Sequence, residues 1–63
     1  MKITEREKEI LKQLAKGKKP KEIAEKLKLS EQTINNHIRW LKRLFEAENT
    51  NMLIFEVCSN KII

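Results

Sequence analysis

Gln32, Asn35, Asn36, Arg39 and Arg43 share one side of a stretch, Ser30 to Phe45, whose apolar residues recur with helical spacing. At about 100° per residue, these amides and guanidinium groups fall opposite Ile34, Ile38, Leu41 and Phe45. Amide and guanidinium side chains are the ones that form paired hydrogen bonds to base edges in a major groove, Asn and Gln to adenine and Arg to guanine. A surface helix kept for solubility more often carries Lys and Glu four residues apart. Here the acid in the early turns is Glu31, at the N-terminus, where the helix dipole favours it. The pattern predicts a helix with a core stripe and an opposite face suited to nucleic acid. A solvated amphipathic helix is the plain alternative.

Each candidate has a functional and a bland reading. Arg39 projects from the middle of the polar face, toward guanine or as a phosphate clamp; as a surface arginine its nearest acid along the chain, Glu46, is beyond i,i+4 reach. Asn35 and Asn36 are poor interior helix residues, so adenine recognition gives them a reason; AT-rich coding would also produce them. Gln32, in the first turn, is a candidate of the same kind. Lys21 stands at the start of a second predicted helix, where free N–H groups and the dipole also favour phosphate. Thr33 either donates its hydroxyl to phosphate or bonds back to its own helix. Lys42 and Arg43, further along, would meet backbone rather than bases, and Lys18 and Lys19 would add steering. His37, at the border of the stripe, suits a structural hydrogen bond or a phosphate. It lacks a Cys, Asp or second His at metal-ligand spacing. Trp40, the single tryptophan, is placed at the rim of the core.

The chain has 63 residues, with 14 Lys and Arg against 9 acids, a net charge of +5 and no Asp. That length allows one domain, and it buries only about 60% of its unfolded surface, so it is marginal without help. The charge balance predicts attraction to polyanions without choosing among DNA, RNA and anionic membrane. Cys58 is alone, so no internal disulfide and no zinc site is expected. It reads as a small buried apolar residue; near a two-fold axis it would cross-link two chains. Met1-Lys2-Ile3 leads into charge rather than an apolar leader, and no apolar run approaches the ~20 residues of a membrane span. A cytoplasmic location is the expectation.

Four helices are expected. Thr4-Glu5-Arg6-Glu7 has capping-box spacing, and Gly17 stops the first helix, giving Glu5 to Lys16. Pro20 suits a first helical position and opens a second, Pro20 to Leu27, with Ile23, Ala24 and Leu27 inward. Lys28-Leu29-Ser30 is a turn without the usual glycine, with Ser30 as N-cap of a third helix, Glu31 to Phe45. Short helix, turn and longer two-faced helix make a helix-turn-helix signature. After a loop near Glu46 to Asn49, a fourth helix runs from about Thr50 to Cys58. It is apolar almost all round, and such a helix is buried all round. One face can pack on the first helix; a homodimer contact through Met52, Phe55 and Cys58 would cover the rest. A strand over Leu53 to Val57 ranks lower, having no strand to pair with. Ser59 to Ile63 reads as a frayed tail.

From Ile3 to about Leu44, with a looser echo to Thr50, the chain resembles the LuxR/FixJ/GerE-type helix-turn-helix DNA-binding domain of bacterial transcription regulators. Ile3-Thr4-Glu5-Arg6-Glu7-Lys8-Glu9-Ile10-Leu11 is like that family's L-T-x-R-E-x-E-V-L. Ala15-Lys16-Gly17 followed by Lys21-Glu22-Ile23-Ala24 and Leu27 is like A-x-G…K-E-I-A-x-x-L. Ser30-Glu31-Gln32-Thr33-Ile34-Asn35-Asn36-His37-Ile38 is like S-x-x-T-V-K-x-H. The resemblance implies an all-α, four-helix domain over residues 1 to 63, its third helix in the major groove and its fourth at a dimer contact. It implies bases approached from Asn35, Asn36 and Arg39, and phosphates from Lys21, Thr33 and Arg43. Three positions depart from the family: Asn35 replaces a Lys, Phe45 a Gly, and Glu48-Asn49-Thr50 the triplet N-R-T. Most members carry a separate sensory or receiver domain; this chain resembles the standalone minority or an excised fragment.

Catalysis has no support, with one His, one Cys, no Tyr and no glycine-rich phosphate loop, and no cofactor is expected. The leading expectation is a dimeric, sequence-specific binder of double-stranded DNA that regulates transcription. Gln32, Asn35, Asn36 and Arg39 would face bases; Lys21, Thr33, His37, Lys42 and Arg43 would face phosphates. A sigma-factor region-4-like module acting with RNA polymerase is the near alternative. A protein-interaction adaptor that has lost DNA binding is the distant one.

Overall fold

The computed structural model describes residues 3–63. Met1 and Lys2, on which the expectation of no apolar leader partly rests, lie outside the described residues. Four helices follow in order: α1 (Glu5–Ala15), α2 (Pro20–Leu27), α3 (Glu31–Leu44) and α4 (Thr50–Ser59). All four expected helices are present, and the described residues hold no strand, so Leu53 to Val57 is helical. The ends move by one residue: Lys16 and Phe45 are caps, and α4 extends to Ser59.

Each start satisfies its free N–H groups locally. Thr4 Oγ1 accepts from the Glu7 N–H at 3.1 Å while Glu7 Oε1 accepts from the Thr4 N–H at 3.1 Å, the reciprocal capping box. Ser30 Oγ accepts from the Thr33 N–H at 3.0 Å and Asn49 Oδ1 from the Met52 N–H at 2.9 Å. Lys19 precedes α2 and its side chain has no acceptor. Pro20 at the first position removes one donor, and Glu22 Oε1 takes the Lys19 N–H at 2.9 Å.

The helices also share one way of ending. Gly17, Lys28, Glu46 and Lys61 are left-handed, with φ of 87°, 59°, 55° and 55°. The next N–H in each case, from Lys18, Leu29, Ala47 and Ile62, donates to the carbonyl five residues back, on Gln13, Ala24, Lys42 and Val57. This closure turns the chain so that the residue after the left-handed one can pack inward. Leu29, Ala47 and Ile62 do so. Ser59 to Ile63 is therefore no frayed tail: Ile62 and Ile63 fold back onto the core. In the turn between α2 and α3 the expected glycine role falls to Lys28.

The core draws on all four helices: Ile10, Leu11 and Leu14; Ile23 and Ala24; Ile34, Ile38 and Leu41; Leu53 and Val57. α2 and α3 form the most extensive pair. α1 and α3 each touch all the other helices, whereas α2 and α4 do not meet. Gln13 is buried as well, its Nε2 donating to Glu9 Oε2 at 2.7 Å. That hydrogen bond is the main reason the Glu9 carboxyl sits below its ordinary value; desolvation opposes it, and attraction to Lys26, Lys12 and Lys16 adds to it. A lowered carboxyl stabilises the fold above its unfolded value, and that contribution is lost as pH falls through the folded one. Cys58 corrects the reading of a buried thiol: it is exposed, because Leu53 and Val57 already fill the inward face of α4.

Two substitutions check these ends by urea unfolding. Glu46→Gly is expected to raise stability by about 0.5–1 kcal/mol, since glycine carries left-handed backbone without the Cβ penalty. Ser30→Ala is expected to lower it by about 1 kcal/mol through loss of the cap.

Candidate nucleic-acid interface

α3 turns Ile34, Ile38 and Leu41 into the core. That rotation leaves Gln32, Asn35, Asn36, Arg39 and Arg43 exposed together on the outer face. At 14 residues and about 1.5 Å rise per residue the helix is about 21 Å long, and its diameter of about 10–12 Å matches a major groove about 12 Å wide. Among the described residues none of these five side chains hydrogen-bonds to the protein. The ion pairs are Glu5 with Lys8 at 3.8 Å and Glu7 with His37 at 3.4 Å. The pairing of Arg39 with Glu46 is absent.

The two rims of α3 differ. One opens on a cleft of about 440 Å³ between the α1–α2 connection, α3 and the start of α4. Lys18, Lys19, Arg39 and Lys42 line it, with the amides of Asn35 and Asn51 and no carboxylate. The helix geometry explains the convergence: Gly17 stops α1 and Pro20 starts α2, so the two lysines between them are held in a short connection. Arg39 and Lys42 reach the same cleft from α3. Four cations around one cleft are stabilised together only when an anion enters, by Coulomb attraction that screening salt weakens.

The other rim holds Thr33, Asn36, His37 and Trp40, with Glu7 of α1 behind them. His37 turns its Nδ1 toward Glu7 Oε2 at 3.4 Å, a long and weak contact by hydrogen-bond standards that nevertheless joins α1 to α3. Thr33 Oγ1 lies 2.7 Å from Ser30 Oγ, so of its two readings the local bond is present. Trp40 corrects the placement at the core rim: it is 51% exposed. It lies off the stripe of Ile34, Ile38 and Leu41, and about half of its surface stays open to solvent. Lys21 is exposed on the first turn of α2, and Arg43 on the outer face of α3, both outside the cationic cleft.

Sequence reasoning found the outer face and missed two features of the rims. The sequence offers Lys18 and Lys19 only for steering, although a connection bounded by Gly17 and Pro20 is too short to carry its lysines away from the domain. The sequence marks Glu7 for the capping box alone; it is 7% exposed and also faces His37, a pairing across 30 positions that local patterns do not reveal. No group of three or more His, Cys, Asp or Glu among the described residues is arranged to hold a metal ion. No described helix is long and apolar enough to cross a membrane.

This is a helix-turn-helix whose third helix leaves a polar face open, and residues 1–57 match the luxR family of bacterial regulatory proteins; the chain belongs to that family. The match runs beyond the resemblance seen in the sequence blocks and takes in most of α4. The chain is also 41% identical over 59 residues to YhcZ of Bacillus subtilis (strain 168), described as an uncharacterized transcriptional regulatory protein. The alignment covers 92% of this chain and 28% of that protein, so the chain spans little more than a quarter of its relative's length.

The cleft makes a salt-dependence prediction. In duplex-binding titrations at several salt concentrations, Lys42→Ala should weaken binding to all sequences alike. It should also reduce the slope of log affinity against log salt by about 1, as expected for one lost phosphate contact.

Proposed function

We propose that this domain binds double-stranded DNA sequence-specifically as a dimer and regulates transcription, with α3 in the major groove. The observation that carries the reading is the outer face of α3, where Gln32, Asn35, Asn36 and Arg39 stand exposed beside a cleft of four cations without an acid. The amides and guanidinium supply base discrimination, since each good paired contact is worth about 1–3 kcal/mol against the wrong base. Lys42 and Arg43, with Lys21 and the hydroxyl of Thr33, hold phosphates and set register without reading sequence. His37 reaches phosphate only from the side of its ring away from Glu7. Family membership and the relative's description as a transcriptional regulatory protein support the regulatory part.

The dimer part of the proposal rests on α4. Leu53 and Val57 face the core, while Met52 is 42% and Phe55 68% exposed, with Cys58 exposed on the same side. An uncovered Phe in so small a domain gains about 1.5–3 kcal/mol on full burial, and a second copy of α4 would bury it. Two such domains would place their recognition helices on half-sites about 34 Å apart, one turn of the duplex.

Two experiments test this. Arg39→Ala should cost preferred duplexes about 1–3 kcal/mol while leaving affinity for scrambled duplex nearly unchanged. An equal loss for both would contradict a base-reading role. Phe55→Glu should shift the protein toward monomer in sedimentation equilibrium and lower affinity for a two-half-site duplex by more than about tenfold, through loss of bivalent binding. A wild-type protein that stays monomeric on such a duplex would contradict the dimer.

A further inference from the structure

We propose that Trp40 is a specificity-determining residue that takes the 5-methyl group of a thymine, in an A·T pair next to the adenine read by Asn36. The inference rests on the DNA-reading role of α3 and extends it to a residue outside the amide and guanidinium set.

Trp40 is about half exposed on a domain with a small core, leaving a large apolar surface in water. It lies four residues after Asn36, so the two are neighbours one turn apart on the helix surface. Both line the groove on the second rim of α3. Trp40 is thus continuous with the base-facing row rather than isolated on the far side of the domain.

Charge decides what this groove accepts. Its lining contains the carboxyl of Glu7, with the His37 ring turned toward it, and no lysine or arginine, whereas the cleft on the opposite rim gathers four cations. A phosphate is drawn to the cleft and disfavoured beside Glu7, so a phosphate met by Thr33 or His37 lies outside this groove, on the sides of those residues away from Glu7. An uncharged apolar group is not. In the major groove the apolar group DNA offers is the thymine methyl, and an A·T pair presents it beside the adenine N6 and N7 that an Asn amide takes. An indole face covers a methyl well and contributes contact area with little loss of rotamer freedom.

Deoxyuridine in place of thymine removes the methyl and nothing else. The test takes a duplex enriched by the wild-type protein from a random pool and replaces its thymines one at a time. Trp40 is the single tryptophan of the chain, so its emission reports its surroundings directly. At one position in each half-site the replacement should weaken wild-type binding about fourfold, the factor for one buried methyl-sized group. The emission shift on binding should shrink at that same position. Trp40→Ala should bind thymine and deoxyuridine duplexes equally well there, with the salt slope unchanged because no charge is removed.

Equal affinity for every deoxyuridine duplex, or duplex binding without any change in tryptophan emission, would overturn the assignment while leaving DNA reading by α3 intact. Such an outcome would turn Trp40 toward a protein partner. Failure of the wild-type protein to bind any duplex at low salt would overturn both. If Trp40→Ala does not fold, the deoxyuridine series on the wild-type protein, read by affinity and emission together, still decides.

Discussion

Burial of Ile34, Ile38 and Leu41 is the constraint on which the rest depends. Ile34 and Leu41 are fully buried and Ile38 nearly so, and α3 meets α1, α2 and α4 along this stripe. Each side chain contributes about 1.5–3 kcal/mol by leaving water, a large share of the stability a chain of this size can have. Rotating α3 by one residue, about 100°, would expose part of the stripe and bury amides without partners. The packing energy therefore fixes which side of α3 faces out. The outer face is free to carry Gln32, Asn35, Asn36 and Arg39 because it contributes nothing to the core.

The same constraint separates the two rims. With α3 fixed in rotation, Arg39 and Lys42 point toward the short α1–α2 connection, where Lys18 and Lys19 wait. Asn36 and Trp40 point the other way, toward Glu7 and His37. A helix with cations on one edge and an acid on the other has a preferred orientation in an anionic groove. In the proposed complex the net charge of +5 would draw the domain to a polyanion, and the asymmetry of the rims would set how it lies there. Its long-range attraction is screened by salt beyond about 8–10 Å, so orientation and affinity are both tied to ionic strength.

Much of this was legible in the sequence because the signals were local. Thr4 with Glu7, Ser30, Gly17 and Pro20 mark helix ends within three or four residues of themselves, and the spacing of Ile34, Ile38 and Leu41 gives the face of α3. The left-handed positions at Lys28, Glu46 and Lys61 carry no glycine to announce them; their visible trace is the apolar residue that follows, Leu29, Ala47 or Ile62. Asn49 stands where the family has an arginine, and its side chain caps α4 instead. The exposure of Trp40 and Cys58 departs from the sequence expectation for one reason. Periodicity tells which residues fall on an apolar face but not whether the core, ten buried apolar side chains among the described residues, is wide enough to cover them. The pairing of Glu7 with His37 and the gathering of four cations depend on tertiary packing, which no local pattern encodes.

The most direct test of the account is selection from a random pool of short duplexes at two salt concentrations, with sequencing of the bound fraction. A reader held by phosphates and guided by an amide-rich helix predicts enrichment of a sequence with two inverted half-sites about one duplex turn apart, bound with an affinity that falls steeply with salt. Binding with the same salt dependence but no enriched sequence would contradict base reading by the outer face of α3.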